Sequence, residues 1–273
     1  MPSKEVVNWL RTQFFPHMWC PGCGHGIILH ALLRSLVDLG KQPDQTVIAS
    51  GIGCSSRMPG YINACTVHST HGRSLAFATG IKLAQPEMTV IDVMGDGDCS
   101  AIGGNHFIHA CRRNINITAI VMNNNIYGMT GGQASPTTPM TARATTAPYG
   151  VFDSSFDICK LAEGAGATFV ARSTVANPVQ CEKFIKDGIE HNGFSVVEIL
   201  SYCHTQYGRR NACRTPIENI NRLKESSISV QKTKDMSPEE LQGKFVTGEF
   251  VNIKAPEFTE QYSELVERVK GAE

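Results

Sequence analysis

Short apolar runs alternate with longer amphipathic segments over most of the chain. QTVIAS (45–50), MTVIDVM (88–94), ITAIVM (117–122), TFVA (168–171) and FSVVEIL (194–200) are continuous and rich in β-branched residues, which predicts buried strands. Between them, HGIILHALLRSLVDLG (25–40), SLAFATGIKLA (74–84), a segment within Gly103 to Arg113, FDICKLAEGAG (156–166) and PVQCEKFIKDGIEH (178–191) read as helices. The first of these closes at Gly40, a residue suited to a helix C-terminus. Strands buried on both sides and alternating with helices predict an α/β fold, a mostly parallel sheet with helices on both faces. Residues 128–150, full of Gly, Thr and Pro, read as a loop.

From about residue 216 the pattern fades, and NRLKESSISVQKTKDMSPEELQG is polar and charged. The chain is therefore divided into a domain over 1–215 and a C-terminal extension over 216–273. The extension is expected to end in a helix near 258–270 and to contact a partner subunit.

Charge and composition narrow the function. Among 273 residues, 25 Lys and Arg balance 25 Asp and Glu, so no overall field recruits nucleic acid or an anionic membrane. The first 20 residues lack an apolar signal core, and no stretch is long enough to span a bilayer, which predicts a cytoplasmic protein. Ten cysteines in such a compartment read as packed thiols or metal ligands rather than disulfides.

Ligands of open α/β sheets bind beyond the carboxyl ends of the strands. Four sequences lie at those ends: GIGCSS after 50, GDGDCSAIGG after 94, NNNIYGMTGGQ after 122 and SYCHTQYG after 200. In GDGD, Gly95 and Gly97 allow a tight turn and close backbone approach, and Asp96 offers a hard oxygen ligand suited to Mg²⁺. The plain alternative is an ordinary Asp-Gly turn. WCPGCGHG sets Cys20 and Cys23 directly before a helix, where thiolates are favoured. The pair fits a redox dithiol, half a zinc site or half an iron–sulfur site. Cys54 and Cys203, at strand ends, are the candidates to complete it, and four cysteines serve zinc or [4Fe–4S] alike. Cys65, Cys99, Cys111, Cys159, Cys181 and Cys213 read as packed thiols, with Cys99 and Cys213 nearest the loops of interest. His71, Gly72 and Arg73 precede a helix whose N–H groups can hold an anion.

GDG, then NN about 25 residues later, each at a strand end, resembles the thiamine diphosphate motif. With CPGCGHG, GCSS, THGR and the late Cys of SYCHTQYG in this order, the chain over about 18–215 resembles 2-oxoacid:ferredoxin oxidoreductase β subunits. The resemblance implies a thiamine diphosphate-binding fold. It implies Mg²⁺ held by Asp96, Asn124 and the Ile126 carbonyl, and a [4Fe–4S] cluster on Cys20, Cys23, Cys54 and Cys203. The cofactor would be lined by Gly53, Cys54, Ser55, His71, Gly72, Gly95, Asp96, Gly97, Asp98, Asn124, Ile126, Tyr127, Gly128, Met129 and Thr130. His71 and Arg73 are the candidate catalytic groups, and His25 with His71 would orient or donate protons.

The activity implied is CoA-acylating oxidative decarboxylation of a 2-oxoacid, with electrons leaving through the cluster to ferredoxin. An α subunit would supply the Glu that activates the pyrimidine ring, in an assembly of two αβ pairs. The form most closely resembled acts on 2-oxoglutarate, with pyruvate, branched-chain oxoacids and indolepyruvate as alternatives. Two rivals remain: a non-catalytic iron–sulfur or zinc module, and a cluster-free thiamine decarboxylase.

Overall fold

A computed structural model of the chain describes residues 4–271. The predicted strands form β1 (Thr46–Ser50), β3 (Thr89–Gly95), β4 (Thr118–Asn123), β5 (Phe169–Thr174) and β6 (Ser195–Leu200). Three further strands join them: β2 (Cys65–His68), β7 (Ser227–Ser229) and β8 (Phe245–Asn252). The sheet runs in the order β2-β1-β3-β4-β6-β5-β8-β7, and β1 to β6 are all parallel.

The helices are α1 (Lys4–Asn8), α2 (His25–Asp38), α3 (Ser74–Ala84), α4 (Gly104–Arg113), α5 (Ile158–Gly164), α6 (Pro178–Glu190), α7 (Pro216–Ser226), α8 (Pro238–Leu241) and α9 (Phe258–Lys270). Alternation along each strand feeds two cores. Ile48, Ile91, Val93, Ile120 and Val197 pack with Leu32, Leu36 and Ile185 of α2 and α6 on one face. Val47, Val90, Ala119, Val121 and Val196 pack with Leu75, Phe107 and Ile158 of α3, α4 and α5 on the other. That is the two-sided burial the continuous apolar runs predict.

The polar extension does not stand apart from the sheet. β8 adds antiparallel to β5, and Phe258 packs against the second core. Asn114 Nδ2 donates to the Pro256 carbonyl at 3.0 Å, and Glu257 Oε1 accepts from Asn116 N–H at 2.7 Å, pinning the tail beside the start of β4. β8 escaped the sequence reading because it is only partly buried and is interrupted by Gly248. β2 escaped it because the edge strand CTVH is largely open to solvent.

From β1 the chain moves outward to the edge strand β2, then crosses back to β3 on the other side of β1. Such a reversal opens a crevice at the carboxyl ends of the strands.

Candidate active site

The crevice is a cavity of about 220 Å³. It is lined by Ile52, Gly53, Cys54 and Ser55 after β1, His71 after β2, Gly95 to Asp98 after β3, and Met122, Asn124 and Ile126 to Thr130 at the end of β4, with His25 from α2. Two of the expected residues lie outside the lining. Gly72 N–H donates to Asp98 Oδ1 at 2.6 Å, and Arg73 Nη1 donates to the Ile102 carbonyl at 2.5 Å.

Two glycines are required by close packing. A Cβ at Gly97 would lie 2.2 Å from the Tyr127 ring. At Gly72, where φ is +66°, it would lie 2.5 Å from the Gly103 nitrogen.

Asp96 is buried, and its Oδ2 accepts from Ser135 Oγ at 2.5 Å and Thr137 Oγ1 at 2.6 Å. Burial raises the Asp96 pKa, opposed by those hydroxyls and by the Asn124 N–H. Among the described residues no Lys, Arg or His pairs with this carboxyl. A buried carboxylate with no cationic side chain beside it is suited to hold a cation. Asn124 and Ile126 line the same cavity and bring further oxygens, the donor chemistry Mg²⁺ requires.

Of the three consecutive asparagines, only Asn124 lines the cavity. Asn123 Nδ2 donates to Glu198 Oε1 at 2.7 Å, and Asn125, at φ +61°, donates its side-chain N–H to the Thr137 carbonyl at 2.9 Å. Ser135, Thr137 and Glu198 were not legible as site residues. A Glu inside the β-branched run FSVVEIL was the one available signal.

A second cavity, about 340 Å³, adjoins the first and is lined by Cys20, Cys23, Cys54 and Cys203 together with Trp19, Tyr202, His204 and Thr205. Cys54, Asn124, Gly128, Met129 and His25 line both cavities. A Cβ on Gly128 would sit 3.3 Å from Cys203 Sγ and 3.6 Å from Cys54 Sγ, so the bare glycine backbone lies close to both sulfurs. Burial pushes the Cys23 thiol up to about 12 and, with the neighbouring Cys203 and Cys20, the Cys54 thiol up to about 11. Cys99 is buried in the second core, and Cys213 lines neither cavity.

Among the described residues, the one trio of Cys, His or carboxylate ligand atoms within 4.8 Å of one another is Asp157, Cys159 and Glu198. Tetrahedral Zn²⁺ with bonds of about 2.3 Å needs sulfurs roughly 3.8 Å apart. No three of the four cavity thiols bring their sulfurs within 4.8 Å of one another. His25 is fully buried between the cavities, within 3.4 Å of Ser201 Oγ, and burial lowers its pKa to about 4, leaving a neutral imidazole there at neutral pH.

Residues 51–199 match the family model of the thiamine pyrophosphate enzyme C-terminal TPP-binding domain. The span runs from the loop after β1 to the end of β6, and so contains the first cavity except His25. The chain is 53% identical over 266 residues to the 2-oxoglutarate synthase subunit KorB of Methanocaldococcus jannaschii, covering 97% of this chain and 98% of that one. This chain belongs to the 2-oxoacid:ferredoxin oxidoreductase β-subunit family. A KorB subunit of Archaeoglobus fulgidus is 48% identical over 98% of this chain and 95% of its own. Among solved structures, a 2-oxoglutarate:ferredoxin oxidoreductase from Magnetococcus marinus, with 2-oxoglutarate, coenzyme A and succinyl-CoA bound, matches at a TM-score of 0.86. It is 33% identical and is covered over 92% of its chain and 99% of this one. The fold of this family is thus the α/β fold built here, and thiamine diphosphate is its cofactor.

Proposed function

We propose that this chain is the cofactor-bearing β subunit of an enzyme that oxidatively decarboxylates 2-oxoglutarate, forms succinyl-CoA and passes electrons to ferredoxin. The observation that carries the reading is the shared wall of the two cavities. Cys54 belongs to the four-cysteine cavity and to the cavity of Asp96, Asn124 and Ile126, so a cluster on one side adjoins a cofactor on the other.

In this reading Asp96, Asn124 and the Ile126 carbonyl hold Mg²⁺ against the diphosphate. Cys20, Cys23, Cys54 and Cys203, which line one cavity, hold a [4Fe–4S] cluster, for which they supply the four thiolates such a cluster takes. When bound, thiamine diphosphate supplies the electron sink for loss of CO₂, and the cluster accepts electrons one at a time. The protein's own residues position these groups. His71, next to Asp98, can hold or give a proton at the cavity wall. Neutral His25 lines both cavities, 3.4 Å from Ser201 Oγ, without adding charge.

The lining includes no Glu that could activate the pyrimidine ring, and this supports an α subunit that brings it. Ile52 and Met129 line the cavity yet are 40% and 45% exposed, apolar surface suited to burial by that partner. A pair of αβ units is the assembly proposed. Ten unpaired cysteines fit the cytoplasm.

The test is co-expression with the α chain and anaerobic assay of ferredoxin reduction with 2-oxoglutarate, pyruvate, branched-chain oxoacids and indolepyruvate. We expect CoA-dependent activity highest with 2-oxoglutarate, and none from the isolated chain. Full turnover by the isolated chain, or no preference for 2-oxoglutarate, would overturn the reading.

A further inference from the structure

The trio Asp157, Cys159 and Glu198 resembles a metal site in its ligand atoms, but Arg172 occupies it. Arg172 Nε donates to Glu198 Oε2 at 2.6 Å, and Arg172 Nη2 pairs with Asp157 Oδ1. Glu198 is 1% exposed and Arg172 8%. A buried ion pair of this kind gives little net stability, because desolvation offsets the attraction. Its use must lie elsewhere, in what the fixed carboxylate holds.

Strand register shows what that is. Arg172 on β5 pairs directly with Glu198 on β6, which pairs with Val121 on β4. Asn123, two residues beyond Val121, therefore points from the same face of the sheet. Asn123 Nδ2 donates to Glu198 Oε1 at 2.7 Å. An ionised carboxylate only accepts, so it draws the NH₂ end of the Asn123 amide toward itself. The oxygen end is thereby turned to the strand end. There Asn123 Oδ1 accepts from Asn125 N–H at 3.0 Å and lies 3.1 Å from Thr137 Oγ1, the hydroxyl that also holds Asp96. The turn at 123–126 is the one that aims Asn124 and Ile126 into the cavity.

We infer that Glu198, ion-paired with Arg172, is a positioning residue for the metal–diphosphate site, acting through Asn123. The inference rests on the Mg²⁺ and thiamine diphosphate reading above. Residues that orient metal ligands from behind change metal affinity about 10- to 100-fold when altered. The Glu198→Gln variant can turn its amide so that either end meets Asn123, and it leaves Arg172 without its buried charge partner.

The experiment measures Mg²⁺-dependent thiamine diphosphate binding to the assembled complex by dialysis and cofactor release, alongside iron content. For Glu198→Gln we expect occupancy at limiting Mg²⁺ to fall at least tenfold, recovery at high Mg²⁺, and unchanged iron. Asn123→Ser removes the amide from the other end of the same bond and leaves the ion pair intact, so it should give the same Mg²⁺-dependent loss. It decides the matter if Glu198→Gln does not fold. Wild-type Mg²⁺ dependence in a folded variant of either kind overturns the inference. Asp96→Ala separates the two levels. If it loses the cofactor while Glu198→Gln and Asn123→Ser keep it, only the positioning role fails. If Asp96→Ala also binds normally, the site reading itself fails.

Discussion

His71 Nδ1 stands 2.7 Å from Asp98 Oδ1, and the same oxygen accepts the Gly72 N–H at 2.6 Å. One buried carboxylate therefore ties the loop after β2 to the loop after β3, and through Ile52 N–H at 3.3 Å to the loop after β1. Burial raises the Asp98 pKa, and the Gly72 N–H and His71 oppose that rise. Three loops from three strands meet on this side chain, which is how a wall of the cavity is kept in place.

Gly72→Ala should disturb that wall. The new methyl would meet Ile102 and the Gly103 backbone in a left-handed conformation. We expect a loss of about 1–3 kcal/mol, the usual range for forcing volume into packed space. Urea titration measures it, and an unchanged midpoint with normal cofactor binding would show that the loop moves freely.

Cys54→Ala should remove most of the iron from the assembled complex and abolish oxoacid-dependent ferredoxin reduction. Cys181→Ala, at a thiol packed between α6 and β5 with its Sγ 3.0 Å from the Thr174 carbonyl, should retain both. Iron analysis of the two variants side by side checks the assignment. Equal iron in both would remove Cys54 from the cluster.

Glu257 predicts a pH dependence of the tail. Burial works against its charge, but the Thr259 hydroxyl and the N–H groups of Thr259, Glu260 and Asn116 outweigh it and hold the carboxyl below its ordinary value of 4.5. A depressed folded-state pKa means the stabilisation is complete above about 4.5 and is lost as pH falls through the folded value. Glu257→Ala should cost about 1 kcal/mol at neutral pH, as for loss of an N-cap acceptor, and should flatten the acid limb. Hydrogen exchange of β8 and α9 from pH 7 downward reads this, and protection that does not change with acid would contradict it.

The loops of the site were legible in the sequence because parallel strands buried on both faces are continuous apolar runs, and the residues after each run land on one edge. The support behind them was not. The sequence reading ended a strand at Ala171, yet β5 runs on to Thr174, with Arg172 paired to Glu198 across the register. Ser135 and Thr137 come from a loop whose composition signals only turns, and their role appears once Asp96 is seen beneath them. β8 was hidden because Gly248 and Glu249 split its apolar residues into two short pairs, Phe245-Val246 and Phe250-Val251.

The most direct test of the central claim is the visible absorbance of the assembled complex, prepared anaerobically with Mg²⁺ and thiamine diphosphate, before and after 2-oxoglutarate and coenzyme A are added. A cluster adjoining the cofactor must take up the electrons released, so the absorbance should bleach on addition and return when oxidised ferredoxin is supplied. Absorbance that stays constant while iron and cofactor remain bound would contradict electron transfer across the wall that Cys54 shares.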